Sequence, residues 1–189
     1  MANWATTSYR IEGNQKDLQE VFDLCEAFCS GERPAMEQNA AKDWEGNIIS
    51  ALGMETRGSY LRGFIQSYEL TDGLLSIEAE EAWGTTDFRH FLQCHYPGMK
   101  VYFIIEEGGN AVYATNDTDG KYFAFRFIVE SCVDGEDDFE EFKSEEEALA
   151  YVANRLQRDE VTLEDIELWN EEHECDDDYI YIHEFEIVE

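Results

Sequence analysis

The stretch HECDDDYIYIH, residues 173–183, contains the side chains of this sequence that most resemble a metal site. His173, Cys175, His183 and one aspartate of residues 176–178 offer borderline and hard ligands within eleven positions. A metal site requires three or four such groups to converge. The spacing matches no standard zinc pattern, and an acidic turn followed by a strand accounts for the same residues. We therefore expect no cofactor and no metal, with His173, Cys175 and His183 as secondary candidates.

Nucleophilic catalysis would require a cysteine or serine beside an oriented base. Cys94 and His95 are neighbours on a predicted helix, so their side chains point in different directions, and Cys132 lies at a strand end without an evident base. The sequence also contains no phosphate loop, dinucleotide fingerprint or H-E-x-x-H motif. These observations predict no catalytic residue and favour a protein without enzymatic activity.

A polar and aromatic cluster follows from the Asp72-Gly73 pair, which is typical of a two-residue type I′ hairpin turn. With residue 71 opposite residue 74, Arg62 faces Trp83 and lies diagonal to Glu81, so an ion pair and a cation–π contact are available. We interpret the ion pair as structural. An enzyme with a small pocket near Arg62 and Glu81 is an alternative. The same register predicts the pairs Leu70 with Leu75, Tyr68 with Ile77, Gln66 with Ala79 and Phe64 with Glu81.

Acidic residues dominate the sequence and are concentrated at its C-terminal end. The formal net charge is −31, and residues 134–189 contain 23 acids and 3 bases. Such a surface repels nucleic acid and anionic lipid, so we expect no direct nucleic acid partner and no membrane partner. A basic protein partner fits better. The candidate partner-binding residues are Asp137, Asp138, Glu145, Glu146, Asp176, Asp177 and Asp178.

Two functions are consistent with this acidic segment. In the first, the charge keeps the protein soluble and a mixed surface binds another protein or a second copy of the chain. In the second, regularly spaced carboxylates imitate DNA phosphates and occupy a DNA-binding protein such as a nuclease or repressor. We favour protein–protein binding without catalysis and keep the DNA mimic as the alternative.

Residues 1–106 show the order strand, helix, strand, strand, helix, strand. Residues 5–12 alternate as a half-buried strand, and residues 18–29 have apolar side chains at helical spacing. The Asp72-Gly73 hairpin and a helix that ends near Pro97-Gly98 come next, followed by a strand. This order predicts an α+β fold with a ferredoxin-like antiparallel sheet and helices on one face.

The sheet is expected to continue by meander through a strand at residues 122–129. VDGEDDFEEF, residues 133–142, is interpreted as an acidic connection, after which Ser144 and Thr162 each begin a helix. An apolar strand near the C-terminus should pair with a sheet. We therefore predict a ferredoxin-like domain over residues 1–133 and an acidic helix–helix–strand extension over 134–189 that packs on the same core.

The compartment follows from what the sequence lacks. The N-terminal residues show no signal peptide pattern, and the longest apolar run, residues 101–105, is far shorter than a membrane span. Five cysteines are too few for a disulfide scaffold of this length. We expect a soluble cytoplasmic protein with reduced thiols.

Several short motifs lie at defined places in the predicted elements: the opening Met1-Ala2-Asn3-Trp4, a strand that ends in Ala82-Trp83, a helix that closes at Tyr96-Pro97, and Glu106-Glu107-Gly108-Gly109 after the next strand. Together these motifs resemble the YubB ferredoxin-like domain family of bacterial, phage and plasmid proteins. The similarity covers about residues 1–130. It departs from the family at Ala5, where a cysteine is expected, and in the acidic extension. The resemblance implies the fold and a link to mobile genetic elements, and it implies no activity.

Overall fold

The computed structural model describes residues 3–84, 87–173 and 178–188 of the chain. The chain divides into two compact units, residues 1–117 with 188–189 and residues 118–187. The architecture is mixed α+β with antiparallel strand pairing, which confirms the predicted fold class. Within the described residues, no helix is long and apolar enough to cross a membrane.

The first unit has the predicted order of strands and helices, with one short additional helix. The elements are β1 (Trp4–Glu12), α1 (Gln15–Cys29), α2 (Gly46–Ala51), β2 (Gly63–Thr71), β3 (Leu74–Ala82), α3 (Phe88–His95), β4 (Lys100–Glu107) and β5 (Val112–Thr115). The strands run in the spatial order β2-β3-β1-β4-β5, so β1 is central and antiparallel to both β3 and β4. The first four strands have the ferredoxin-like arrangement that the sequence predicts.

Alternation along the strands explains which sheet face is covered. In β1, Ala5, Thr7, Tyr9 and Ile11 are buried, while the residues between them are partly or fully exposed. Asn14 caps α1, because its side chain accepts a hydrogen bond from the Asp17 backbone N–H at 3.0 Å. The covered face packs against the apolar sides of the helices. The core includes Leu18, Val21, Cys25, Phe28, Leu75, Ile77, Leu92, Val101 and Phe103.

The β2–β3 hairpin follows the predicted register only near its turn. Leu70 pairs with Leu75 and Tyr68 with Ile77, which confirms those two predictions. A β-bulge between Ile65 and Ser67 then shifts the pairing by one residue. The predicted pairs Gln66 with Ala79 and Phe64 with Glu81 are therefore wrong. Beyond the bulge the pairs are Ile65 with Ala79, Phe64 with Glu80 and Gly63 with Glu81.

The second unit contains the elements β6 (Phe127–Val133), β7 (Glu136–Phe142), α4 (Glu145–Arg155), α5 (Leu163–His173), β8 (Tyr179–Glu184) and β9 (Glu186–Ile187). Three of the strands form a sheet with the order β7-β6-β8. Residues 122–126 are not strand, and β6 pairs with β7 and β8, so the predicted meander in the first sheet is wrong. The unit thus begins at residue 118, earlier than the predicted boundary after residue 133.

The expected acidic connection is the β6–β7 hairpin. Its corner is Asp134-Gly135, with φ of 54° and 73°, and this is the same residue pair that closes β2–β3. Acidic composition conceals the strand, because Asp and Glu are depleted in strands generally. The register is regular from Val133 opposite Glu136 to Phe127 opposite Phe142.

Helices α4 and α5 cover one face of the second sheet. The predicted caps are present: Ser144 Oγ accepts from the Glu147 N–H at 3.3 Å, and Thr162 Oγ1 accepts from the Asp165 N–H at 3.2 Å. Val161, just before the second cap, is buried in the same core as the helices. That core, which is separate from the core of the first unit, contains Val129, Ala148, Val152, Ala153, Ile166, Trp169 and Ile180.

Candidate functional site

The second sheet has a face opposite its helices, and this face carries the most exposed aromatic cluster of the unit. In one cross-strand row Glu130 of β6 lies between Phe139 of β7 and Tyr181 of β8. The next row places Cys132 between Asp137 and Tyr179. We call these six residues the tyrosine face. The side chains of Phe139 and Tyr181 are 47% and 51% exposed, which is high for rings of this size.

The rings of the tyrosine face are ordered along β8. Tyr179 and Tyr181 stack with centroids 5.4 Å apart and an interplanar angle of 23°. The ring of His183 follows at 6.1 Å from Tyr181, and its Nε2 lies 3.5 Å from Glu130 Oε2. Residues of alternating number on one strand share a face, so this stack is a direct result of the YIYIH sequence.

The electrostatic character of the tyrosine face is negative. Burial and the nearby Asp137 and Glu130 carboxylates raise the pKa of Tyr179. Partial burial and a hydrogen bond with Asp137 raise the pKa of the Cys132 thiol, so this cysteine stays protonated and is a poor nucleophile. None of the six residues is Lys or Arg. The face therefore suits a cationic group.

The acidic residues predicted to bind a partner occupy different environments. Asp137 lies on the tyrosine face. Asp138 points to the other face, where it accepts hydrogen bonds from Tyr151 and, at 3.0 Å, from Arg155. Glu145 and Glu146 are exposed at the start of α4, and a hydrogen bond with Ser144 lowers the pKa of Glu146. These four acids do not form one row.

Asp178 has a structural contact with the β6–β7 corner. Its carboxylate accepts from the backbone N–H groups of Asp134 and Gly135 at 3.1 and 3.4 Å. The other two predicted acids, Asp176 and Asp177, lie outside the described residues. Of the five predicted acids that the structure describes, only Asp137 thus belongs to the tyrosine face.

The predicted cluster of Arg62, Glu81 and Trp83 is only partly assembled. The Arg62 guanidinium lies 5.3 Å from the centroid of the Trp83 ring and 5.7 Å from that of Tyr60, which confirms the cation–π contact. The ion pair with Glu81 is wrong: Arg62 is exposed, whereas Glu81 is fully buried on the core side of β3. The bulge in β2 causes this separation, because it places Gly63 instead of Phe64 opposite Glu81.

Glu81 belongs to a buried polar group that the sequence did not reveal. Its carboxyl oxygens accept from the hydroxyls of Thr7 and Tyr9, each at 2.6 Å. Burial lowers the pKa of the Arg89 guanidinium, and the nearby Tyr9 and Glu81 oppose that shift. A Cβ added at Gly63 would lie 2.3 Å from Glu45 Oε2 and 2.9 Å from Glu81 Cγ, so two buried glutamates meet over this glycine. We interpret the group as part of the framework, since it is closed to solvent.

The predicted metal ligands are not brought together where they are described. His173 stacks on Trp169 with centroids 4.1 Å apart, and its Nδ1 lies 2.7 Å from the Trp169 carbonyl oxygen. His183 lies beside Glu130 at the tyrosine face. Cys175 is outside the described residues. Over residues 3–84, 87–173 and 178–188, no group of three His, Cys, Asp or Glu side chains could hold a metal ion.

Sequence reasoning missed the tyrosine face because it read residues 133–142 as a connection. Two signals could have revealed it. Asp134-Gly135 repeats the turn pair of the first hairpin, and Tyr179, Tyr181 and His183 alternate along the final strand segment. Together they predict a second sheet with an aromatic face.

Comparison with other proteins adds no functional information. The sequence matches no protein-family model and no curated protein. Within the described residues, the tyrosine face is the site with the clearest exposed chemistry, since it combines accessible rings with carboxylates and its six residues include no lysine or arginine.

Proposed function

We propose that this protein is a non-enzymatic binding module that captures a basic, arginine-rich segment of another protein on the tyrosine face. The observation that carries the proposal is the juxtaposition of exposed Tyr181 and Phe139 with the Glu130 and Asp137 carboxylates in adjacent cross-strand rows. Aromatic faces attract cations through the ring quadrupole, and carboxylates attract them by charge. A guanidinium can use both, because it stacks on rings and donates to carboxylates at its edge.

The size of the face favours a peptide segment over a single small cation. Three strands about 4.8 Å apart give a width of roughly 10 Å, and the two rows add further length along the strands. This area accommodates two or more side chains of an extended segment. The strongly acidic composition of residues 134–189 adds long-range attraction, which increases the rate of association with a basic partner.

The DNA mimic alternative has weaker support from the same residues. Asp138 is engaged by Tyr151 and Arg155, and Asp178 is engaged by the Asp134-Gly135 corner. Mimicry would require free carboxylates in a continuous row, and rings such as Phe139 and Tyr181 have no counterpart in a phosphate backbone. The expected link to mobile genetic elements rests on the resemblance to the YubB family, and our proposal does not depend on it.

The direct test is fluorescence anisotropy with short labelled peptides of alternating arginine and threonine. Matched peptides carry lysine or glutamate in place of arginine. We expect the arginine peptide to bind more tightly than the lysine peptide, and the glutamate peptide not to bind. Absence of arginine-peptide binding, or equal binding of the arginine and glutamate peptides, would refute the proposal.

Two pairs of variants locate the binding surface. Tyr181→Ala should weaken binding about tenfold, since a stacked cation is worth roughly 1–2 kcal/mol. Leu168→Ala is its control, because Leu168 is 53% exposed on α5, away from the tyrosine face. Glu130→Gln should weaken binding more than Glu164→Gln, which removes the same charge from α5. Equal losses from both glutamate variants would mean that general charge attraction explains the binding.

A further inference from the structure

The first unit contains a small pocket that the proposed function does not use. Its volume is about 280 Å³, below the roughly 300–1,000 Å³ typical of drug-sized ligand sites. Three aromatic side chains and one cation contribute to its wall. The lining residues are Trp4, Trp44, Leu61, Arg62, Phe64 and Ala82.

The aromatic wall is held in place by the fold. Trp44 Nε1 donates to the Leu61 carbonyl at 2.9 Å, and its ring lies so close to Gly46 that a Cβ there would be 2.2 Å away. The Trp4 and Phe64 rings are 5.6 Å apart at 50°. Trp4 is nonetheless 49% exposed. Tryptophan is enriched at binding surfaces, because a large ring gains much from further burial.

Arg62 gives the pocket a defined charge. Stacking near Trp83 and Tyr60 orients its guanidinium, and the Tyr60 hydroxyl is itself fixed by a 2.7 Å hydrogen bond to the Ala82 carbonyl. Arg62 forms no ion pair with any described residue. A guanidinium stacked on rings keeps its N–H edge free for a carboxylate, which it can bind through two parallel hydrogen bonds.

We propose that this pocket binds a planar aromatic molecule bearing a carboxylate, with the ring among Trp4, Trp44 and Phe64 and the carboxylate on Arg62. The pocket volume suits one bicyclic ring with a short substituent. The net negative charge of the chain opposes any anion at long range. At physiological ionic strength this opposition is largely screened beyond about 8 Å, whereas the contact with Arg62 is not.

The test uses indole-3-acetate and tryptamine, which share the ring and carry opposite charges. Both are titrated into the full chain at physiological ionic strength, and the indole N–H signals of the tryptophans are followed by NMR. Indole-3-acetate should shift the Trp4 and Trp44 signals and bind at least about tenfold more tightly than tryptamine. The Trp169 signal, from the core of the second unit, is the internal control.

Arg62→Gln is the decisive variant, because Arg62 is exposed and its loss leaves the core intact. In this variant indole-3-acetate and tryptamine should bind with similar affinity. Three results would overturn the proposal: no binding of indole-3-acetate at millimolar concentration, equal binding of both probes to the unmodified protein, or an unchanged preference in Arg62→Gln. None of these results bears on the arginine-peptide test, which concerns the other unit.

Discussion

Each unit contains one β-hairpin closed by an Asp-Gly pair, β2–β3 in the first and β6–β7 in the second. The two corners have nearly the same geometry, with φ of 52° and 79° at Asp72 and Gly73 and 54° and 73° at Asp134 and Gly135. In both, the residues that flank the pair face each other, as the type I′ turn requires. The turn chemistry therefore acts alike in the two hairpins.

The two hairpins differ in what their strands contact. Each hairpin has one edge strand, β2 or β7, and one strand with neighbours on both sides, β3 or β6. In the edge strand of the first hairpin Gly63 and Ile65 are buried, whereas the residues of β7 are all exposed or half-buried. The register is interrupted by a bulge only in the first hairpin, between Ile65 and Ser67.

This difference shows that a corner specifies pairing over the nearest residues only. Farther along, the pairing also has to satisfy the groups that the strands bury. Glu81 needs the hydroxyls of Thr7 and Tyr9, and it needs a residue without a side chain opposite it, which the bulge provides by aligning Gly63. The strand β7 buries none of its residues, so no buried group requires a shift and its register continues unchanged.

The largest effect is expected from Glu81→Ala. It removes the acceptor of two buried hydroxyls and leaves a cavity, which should lower the free energy of unfolding by about 2–5 kcal/mol. Glu80→Ala, on the exposed face of the same strand, should change it by less than about 0.5 kcal/mol. Urea denaturation followed by circular dichroism measures both. Similar values for the two variants would contradict the buried role of Glu81.

Gly63→Ala tests the explanation for the bulge. The added Cβ would lie 2.3 Å from Glu45 Oε2, so neighbouring groups must move, and we expect a loss of about 1–3 kcal/mol in the same measurement. Gly98→Ala is the control, because no atom lies within 4 Å of the added Cβ and the backbone is not left-handed there. If Gly63→Ala is as mild as Gly98→Ala, the close approach of the two glutamates is not what requires glycine.

Gly73→Ala and Gly135→Ala compare the two corners directly. Both glycines are left-handed and neither added Cβ meets a tight contact, so backbone strain should cost about 1–2 kcal/mol in each. Amide hydrogen exchange measures the loss separately, in β3 for the first variant and in β6 for the second. A much smaller effect for Gly135→Ala would mean that the β6–β7 corner opens readily in solution.

The smallest effect is expected from Thr162→Ala, which removes the cap of α5. The loss should be about 1 kcal/mol, seen as faster amide exchange in α5. Hydrogen bonds with Thr162 also lower the pKa of Asp165. A lowered pKa stabilises the folded state above the ordinary Asp pKa, and this stabilisation disappears as the pH falls through the lowered value. The free energy of unfolding of the variant should therefore change less with pH in the acid range than that of the unmodified protein. An unchanged pH dependence would refute the role of this cap.

Much of the fold could be predicted from local patterns. Alternation identified β1 and β3, helical spacing identified α1, and the capping boxes at Ser144 and Thr162 located α4 and α5. The candidate sites were harder to predict from the sequence. The cation–π contact of Arg62 with Trp83 was predicted, but its ion pair was not formed, and the tyrosine face was missed. A site on a sheet depends on which strands pair with each other. This pairing is determined by contacts between residues that are distant in sequence, so local patterns do not predict it.

By itself, the sequence determined the two Asp-Gly corners, the helix caps, the strand faces and the acidic character of the C-terminal third, because these depend on residues within a few positions of each other. Only the tertiary structure decided that β6 leaves the first sheet, that Glu81 turns away from Arg62, and that Phe139 and Tyr181 flank Glu130. These outcomes depend on competition among long-range contacts for the same strand edges and the same buried volume. Local sequence patterns contain no information about which of these long-range contacts form.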